Sequence, residues 1–350
     1  MAPRQPRPHR VRDIAEQSGL SEATVDRVLH GRGTASARAV RSVEQALLDL
    51  DRQESQVRIA ARTFIVDVVM QAPERFSAAV KAAVESELPA ARPAVVRARF
   101  DLRESADPAA AVASLDAVGR RGRVSHGVLL KAPDHPAVAA AVRRVVARGI
   151  PVVTLVTDVH DCGRAAYVGL DNAAAGRTAA YLVSRWLARS SGTVLVTMSR
   201  STFFGERERV DAFVSQLAKE APPLRTAVVS DTDGLDATLA AAVRDVLARE
   251  PDVCAVYSVG GGNRALAKEF ERAGRECRVF VAHDLDTDNI DLLAGGVLDA
   301  VLHHDLRADM RRALRQVLRA HRVLAGAPTS VSANVEVVTP HNLPARLLRD

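Results

Sequence analysis

Apolar positions along the chain change rhythm near residue 62. Before it they recur three and four apart in short bursts: Val11, Ile14 and Ala15, then Val25, Val28 and Leu29. That spacing predicts two amphipathic helices within residues 10–33. Gly19 between them supplies a position able to turn with positive φ, as helix C-termini often require. Leu20 plugs the corner, and Ser21 is a good N-cap for the second helix. A third helix is predicted from an N-cap at Ser36 to about Leu50, with Val40, Val43, Leu47 and Leu50 on one stripe. Beyond residue 62 short continuous apolar runs alternate with Ala-rich helical patterns. Strands are predicted at 64–70, 94–100, 127–131, 152–156, 166–169, 194–198, 226–229, 255–259, 279–282 and 300–303, with helices such as 76–87, 109–120, 136–148, 173–187 and 207–219 between most of them. Continuous apolar strands alternating with helices predict an α/β fold with parallel sheets covered on both faces. Ten strands exceed one compact open sheet, so two lobes joined by crossovers are expected.

The N-terminal pattern is that of a helix-turn-helix, whose second helix lies in the DNA major groove. The outward face of that helix holds Glu22, Ala23, Thr24, Asp26, Arg27 and His30, side chains able to read base edges. Residues 1–41 carry eight arginines against Asp13, Glu16, Glu22 and Asp26, leaving +4 of the chain's +6. A basic head on a nearly neutral body is the electrostatic footprint of a DNA reader.

DIAEQSGLSEATVDRVLHGRG, followed by TASARAVRSVEQALLDL, resembles the N-terminal domain of the lac-repressor (LacI/GalR) family of bacterial transcription regulators. The resemblance implies base reading by Glu22, Ala23 and Arg27, with Thr24 and His30 facing phosphates or nearby bases. Arg27 is the strongest candidate, because guanidinium is the best bidentate partner for guanine; its bland alternative is a phosphate contact. Ser21 caps the reading helix and is counted with the DNA-binding residues, and Arg10 is expected to contact phosphate irrespective of sequence. Asp26 stands where many relatives carry Ser, and is expected to pair with a neighbour such as Arg27 or to accept from a cytosine amine. IPVVTLVTD, YVGLDNAAAGRTAAYLV, GERERVDAF and VFVAHDLD in turn resemble the sugar-binding periplasmic-protein fold that forms the effector domain of the same family.

The implied organisation is an all-α helix-turn-helix head over 1–51, with 1–9 a disordered basic arm, a linker over 52–62, and a two-lobed effector and dimerisation domain over 63–350. No apolar run in the sequence approaches a membrane span, and the basic, Pro-rich start has no hydrophobic segment after it, so it is not expected to be a secretory signal. Cys162, Cys254 and Cys277 are scattered without a C-x-x-C pair, which fits free thiols in a reducing cytoplasm. Neither a cofactor nor a metal is expected. The sequence holds no nucleophile elbow, H-E-x-x-H or Walker A lysine, so an enzyme is not expected either.

In this fold ligands sit outside the carboxyl ends of the strands. Phe76, after the first strand, is a candidate to pack on a sugar face or else a core residue at a helix start. Asp158 ends the fourth strand, where a carboxylate accepts sugar hydroxyls. Arg207 matches the ligand-reaching arginine of sugar-binding relatives, or forms a local salt bridge with Glu208 or Asp211. Asn263 follows three glycines that let backbone N–H groups approach a ligand or phosphate. Asp284 matches the family's ligand-binding aspartate. His304 stands where relatives carry a polar group, with His303 as its competitor. Asp171 and Asn172 read as hinge or turn residues. A pentose, hexose, polyol or sugar acid fits this polar set equally. The resemblance implies a homodimer on a pseudo-palindromic operator, its affinity controlled by the effector. The family's connector, Y-x-P-N-x-x-A-x-x-L, folds into a hinge helix that wedges a Leu into the minor groove. LDRQESQVRIAARTF lacks the Pro-Asn pair, so strong operator kinking is not expected. The alternative reading is a solute-binding or enzymatic α/β protein with a merely structural N-terminal hairpin.

Overall fold

The structure is a computed structural model that describes residues 9–31, 35–60, 62–92, 94–104, 107–230, 232 and 236–344, with the backbone alone described at 52 and 54–60. It divides into two compact units, residues 1–63 with 92–95 and residues 64–91 with 96–350.

The first unit holds three helices, α1 (Val11–Ser18), α2 (Glu22–His30) and α3 (Ala37–Ala60). Gly19 closes α1 in the left-handed region at φ 67°. The Ser21 hydroxyl accepts the Thr24 N–H at 3.3 Å, and the Ser36 hydroxyl accepts the Ala39 N–H at 3.2 Å. Ile14, Ala15, Val25, Val43 and Ala46 form the core, with Val11, Leu20, Val28, Leu29, Leu47 and Leu50 packed against it. α3 overruns its expected end near Leu50 by ten residues. DRQESQVRIA contains neither Gly nor Pro, and most of its residues are good helix formers, so nothing local stops the helix. Of the expected basic arm, residues 1–8 lie outside the described residues; His9 is tied by its ring to the Asp51 carboxylate at 2.6 Å.

The second unit contains two sheets. One has the order β2-β1-β3-β4-β5-β11, from β1 (Thr63–Gln71), β2 (Val95–Arg103), β3 (Gly127–Lys131), β4 (Val152–Leu155), β5 (Ala166–Leu170) and β11 (Val331–Ala333). The other has the order β7-β6-β8-β9-β10-β12, from β6 (Gly192–Thr197), β7 (Leu224–Val229), β8 (Val253–Ser258), β9 (Val279–His283), β10 (Ala300–His303) and β12 (Glu336–Val338). The pairings of β3 with β1 and β4, and of β6 with β7 and β8, are parallel, whereas β10 and β12 run antiparallel. Central strands such as 128–130 and 194–196 are wholly buried, which is why they read as unbroken apolar runs. Each such side chain contributes roughly 1.5–3 kcal/mol of transfer free energy.

The chain crosses between the lobes three times. It leaves β5 through Asp171 into α7 (Asn172–Trp186), whose buried face joins the core of the second lobe. It returns after β10 through His304 and Asp305 into α12 (Leu306–Ala320), which packs on β3, β4 and β5. The last crossing lies between β11 and β12. These two three-residue strands were not expected. Asp171 and Asp305 each cap the helix they precede, accepting from Ala174 N–H and from Arg307 and Ala308 N–H. In α7, Gly176 meets α8 (Phe204–Glu220) so closely that a Cβ there would overlap the Arg209 carbonyl oxygen.

Candidate functional site

Parallel strands aim their carboxyl ends into the space between the lobes, and the residues just beyond those ends line a cleft. From the first lobe come Arg75 and Phe76, which open α4 (Glu74–Glu87) after β1, Lys131 at the end of β3, and Val156 and Thr157 after β4. From the second come Ser199 and Arg200 after β6, Phe203, Glu206 and Arg209 on or beside α8, Gly260 and Gly261 after β8, and His283, Asp284 and Asp286 around the end of β9. The cleft encloses about 800 Å³, part of it open solvent.

Asp284 sits at φ 63°, a backbone strained for a non-glycine residue. The turn is braced from behind: the Asn289 amide donates to the carbonyls of His283 and Asp284 at 2.8 and 2.7 Å, and the Asn263 amide donates to Asn289 Oδ1 at 2.7 Å. Burial pushes the Asp284 carboxyl pKa up, but hydrogen bonding and charge from His304 outweigh it and hold it well below the usual range. His304 is enclosed, its Nδ1 2.5 Å from Asp309 Oδ2 and its Nε2 3.4 Å from Asp284 Oδ1. Burial opposes its protonation, yet the two carboxylates win and raise its pKa to about 9. His283, in contrast, is driven well below its ordinary pKa by burial and by the charge of Arg209, so it is neutral at pH 7. Its Nε2 lies 2.8 Å from the Tyr257 hydroxyl.

Lys131 ends the buried run GVLLK, 7% exposed, with its ammonium donating to the Gln71 carbonyl at 3.0 Å. The ammonium lies 3.8 Å over the Phe203 ring centroid and 6.0 Å from that of Phe76, within cation–π range. Burial lowers its pKa to about 8. Arg209, 3% exposed, donates through Nε to Asn172 Oδ1 at 2.7 Å. Across the cleft, Arg75 Nε meets Asp286 Oδ2 at 3.1 Å.

Of the six residues expected around an effector, Phe76 and Asp284 line this cleft. Asp158 does not: Thr154, Arg164 and the Val159 N–H already occupy its carboxylate. Arg207 donates to the Ser201 carbonyl at 3.3 Å and stands 3.8 Å from Asp134. Arg209 takes the cleft position instead, because two residues along a helix turn to the opposite face. Asn263 and His304 sit one layer behind Asp284, and His303 accepts from the Leu285 N–H at 3.4 Å. Asn172 proves to be both a crossing residue and the anchor of Arg209. Lys131, Phe203, Glu206 and Arg209 were missed. The signal for Lys131 was a cation closing an otherwise wholly apolar strand.

In the three-helix unit, Arg10, Ser21, Glu22, Ala23 and Arg27 are exposed and Thr24 and His30 half-buried. The Arg27 guanidinium reaches back to the Ala23 carbonyl at 3.2 Å and the Thr24 hydroxyl at 3.3 Å. Asp26 pairs with His30 at 2.8 Å rather than with Arg27, since i,i+4 side chains face each other and i,i+1 do not.

Among the described residues no cluster of His, Cys, Asp and Glu could hold a metal ion, and no helix is long and apolar enough to cross a membrane.

Two lobes of parallel sheet, three crossings and a polar cleft at the strand ends define a two-lobed solute-binding architecture. Residues 66–322 match the model of the periplasmic binding protein domain, and the chain belongs to that family. No curated protein matches its sequence. Among solved structures it is similar to GanP, a glucose-galactose binding protein from Geobacillus stearothermophilus, at 19% identity and TM-score 0.71, covering 81% of this chain and 99% of that one. An ABC transporter solute-binding protein from Agrobacterium vitis bound with α-D-tagatopyranose has 20% identity and TM-score 0.71, with 80% and 96% covered. One from Burkholderia graminis in complex with D-arabinose has 20% identity and TM-score 0.71, with 81% and 97% covered.

Proposed function

We propose that the chain binds a small polyhydroxylated solute of the sugar class in the cleft between its lobes, as the sensing part of a DNA-binding transcriptional regulator. The observation that carries the first half is the convergence of Asp284, Arg209 and Lys131 with Phe76 and Phe203 in one cleft. Fixed charges and aromatic faces are what a polyol needs for orientation and stacking. The ligands bound in two of the similar structures, α-D-tagatopyranose and D-arabinose, belong to the same class.

The regulatory half rests on the N-terminal unit: a Gly19 corner, a Ser21-capped second helix, and Arg27, Glu22 and Ala23 exposed along it. In the proposal that helix enters the major groove, a homodimer in the cytoplasm spans two half-sites about one turn apart, and effector occupancy alters operator affinity. The second reading is a solute-binding protein whose helical unit does not touch DNA. It is favoured by the family match, which begins only at residue 66.

One experiment separates them. The purified chain is used to select from a random duplex DNA library at about 50 mM salt, where phosphate contacts are strong. The regulator enriches a pseudo-palindrome; Arg27→Ala relaxes one base position, while Arg10→Ala weakens all sequences alike. Absence of any enriched site, in a preparation whose melting temperature a sugar raises, leaves solute binding standing and rejects the regulator.

A further inference from the structure

The charges that line the cleft are compensated unequally. Two carboxylates there have a cation beside them, Asp286 with Arg75 at 3.1 Å and Asp284 with His304 at 3.4 Å, while Glu104 accepts the Glu74 N–H at 3.0 Å and Glu206 the Ser199 N–H and hydroxyl at 2.7 and 2.6 Å. Lys131 and Arg209, the most deeply buried lysine and arginine of the cleft lining, have only neutral oxygens as hydrogen-bond partners: the Gln71 carbonyl for Lys131 and the Asn172 amide oxygen for Arg209. Among the described residues no carboxylate comes within 4 Å of either. Arg209 helps to depress the Lys131 pKa, while Glu206, whose effect is the larger, and Asp284 act in the opposite direction.

Holding two like charges out of water with no carboxylate in direct contact is costly, and something that binds there can supply one. A neutral hydroxyl satisfies the hydrogen bonds of such groups but leaves the charge uncompensated. A carboxylate or phosphate does both, and its hydrogen bonds to ammonium and guanidinium are the short, charge-assisted kind.

We infer that the ligand is an acidic sugar derivative whose anionic group is held between the Lys131 ammonium and the Arg209 guanidinium, while Asp284 accepts its hydroxyls. This deepens the solute-binding reading and rests on it. Phe203 and Phe76 then serve two purposes. They flank the lysine head with their π faces, and they present apolar surface to the ring of the ligand.

The test is isothermal titration of the full chain at pH 7 with matched sets: D-glucose, D-glucuronate and glucose 6-phosphate; D-galactose and D-galacturonate; D-xylose and D-xylonate; D-ribose and ribose 5-phosphate. In at least one set an acidic member binds tenfold or more tightly than its neutral partner, and the glucose and ribose sets show whether carboxylate or phosphate is preferred. Lys131→Met weakens the acidic member by about 10–100-fold, the scale of one charge-assisted contact, and by at least about tenfold more than it weakens the neutral partner. Neutral sugars binding as tightly as their acids overturn this inference and leave the solute-binding reading intact. An acid preference that survives Lys131→Met overturns the assigned contact. Binding of no member at millimolar concentration overturns both readings.

Discussion

His304→Gln is the substitution whose effect the structure specifies most completely. The imidazole is fully enclosed between Asp309 on α12 and Asp284 at the cleft. A pKa displaced from the ordinary 6.5 to about 9 corresponds to roughly 3 kcal/mol, at about 1.4 kcal/mol per tenfold change in proton affinity. The folded state binds this proton more tightly than the unfolded chain. The stabilisation is therefore fully present below pH 6.5 and is lost as pH rises through 9. Glutamine keeps a hydrogen-bonding head of similar reach and removes the charge, so the variant lacks this dependence. Lys131 titrates in the upper part of the same range but is common to both proteins and cancels in the comparison. Urea unfolding of wild type and variant at half-unit steps from pH 6 to pH 10 gives the difference directly. Wild type exceeds the variant by about 2–3 kcal/mol at pH 6, and the gap closes to under about 1 kcal/mol by pH 10. Asp309 retains Arg312 at 2.9 Å, which keeps the variant's loss toward the lower end of what breaking a buried pair costs, about 3–5 kcal/mol. Stability curves that run parallel across the whole range would falsify the assignment of a buried, protonated His304.

Three other outcomes follow from the same structure. Lys131→Met is expected to stabilise the ligand-free protein by about 1–3 kcal/mol at pH 7, because burial lowers the folded lysine pKa from 10.5 to about 8; the cost falls on the folded state below pH 8 and fades as pH rises toward 10.5, and a urea midpoint unchanged by the substitution contradicts it. Gly176→Ala forces α7 and α8 apart against the Arg209 backbone, with an expected loss of about 1–3 kcal/mol in the same assay and weaker binding of any ligand that uses Arg209; wild-type stability would refute the close approach. Ser21→Ala removes the hydroxyl that accepts the Thr24 N–H and should cost about 1 kcal/mol, read as faster amide exchange along α2, with unchanged exchange as the contrary result.

What the sequence disclosed depended on how local the deciding physics was. The inner strands were legible because burial on both faces leaves no polar alternation: GVLLK and AVLH were located to the residue. β11 and β12 escaped because three-residue strands among exposed neighbours carry too short a pattern. The far end of α3 escaped because the expectation of a linker came from relatives, whereas its own residues contain no stop signal. In the cleft, Asp284 was reachable because it follows β9 directly, and Phe76 because it opens the helix after β1. Arg207 was chosen over Arg209 because the helix start alone does not say which face turns inward; that is decided by α7 and Asn172, more than thirty residues upstream. Asp158 looked available because Arg164 becomes its partner only when the loop between β4 and β5 folds back. Lys131 was read as the end of an apolar strand, although a charged residue buried there is the stronger sign of a site.

Arg209 and Asp284, two charges of the second lobe that line the cleft, are each attached to a crossing between the lobes. Arg209 is held by Asn172, the first residue of α7 after the chain leaves β5, and Asn172 also donates to the Tyr167 hydroxyl in the first lobe at 3.3 Å. Asp284 faces His304, in the segment that returns after β10, and His304 is gripped by Asp309 at the start of α12, which packs on the first lobe. A ligand that draws Arg209 and Asp284 toward itself therefore pulls on two of the three segments that set the angle between the lobes. No long chain of intermediates is required, because each charge is one side chain away from a crossing. Occupancy can bias lobe geometry only by the difference between the ligand's interaction with these groups in the closed and the open arrangement. If the ligand is anionic, as inferred above, that difference is greatest at Lys131 and Arg209, because the two cations stand on different lobes and share one group only when the lobes are close.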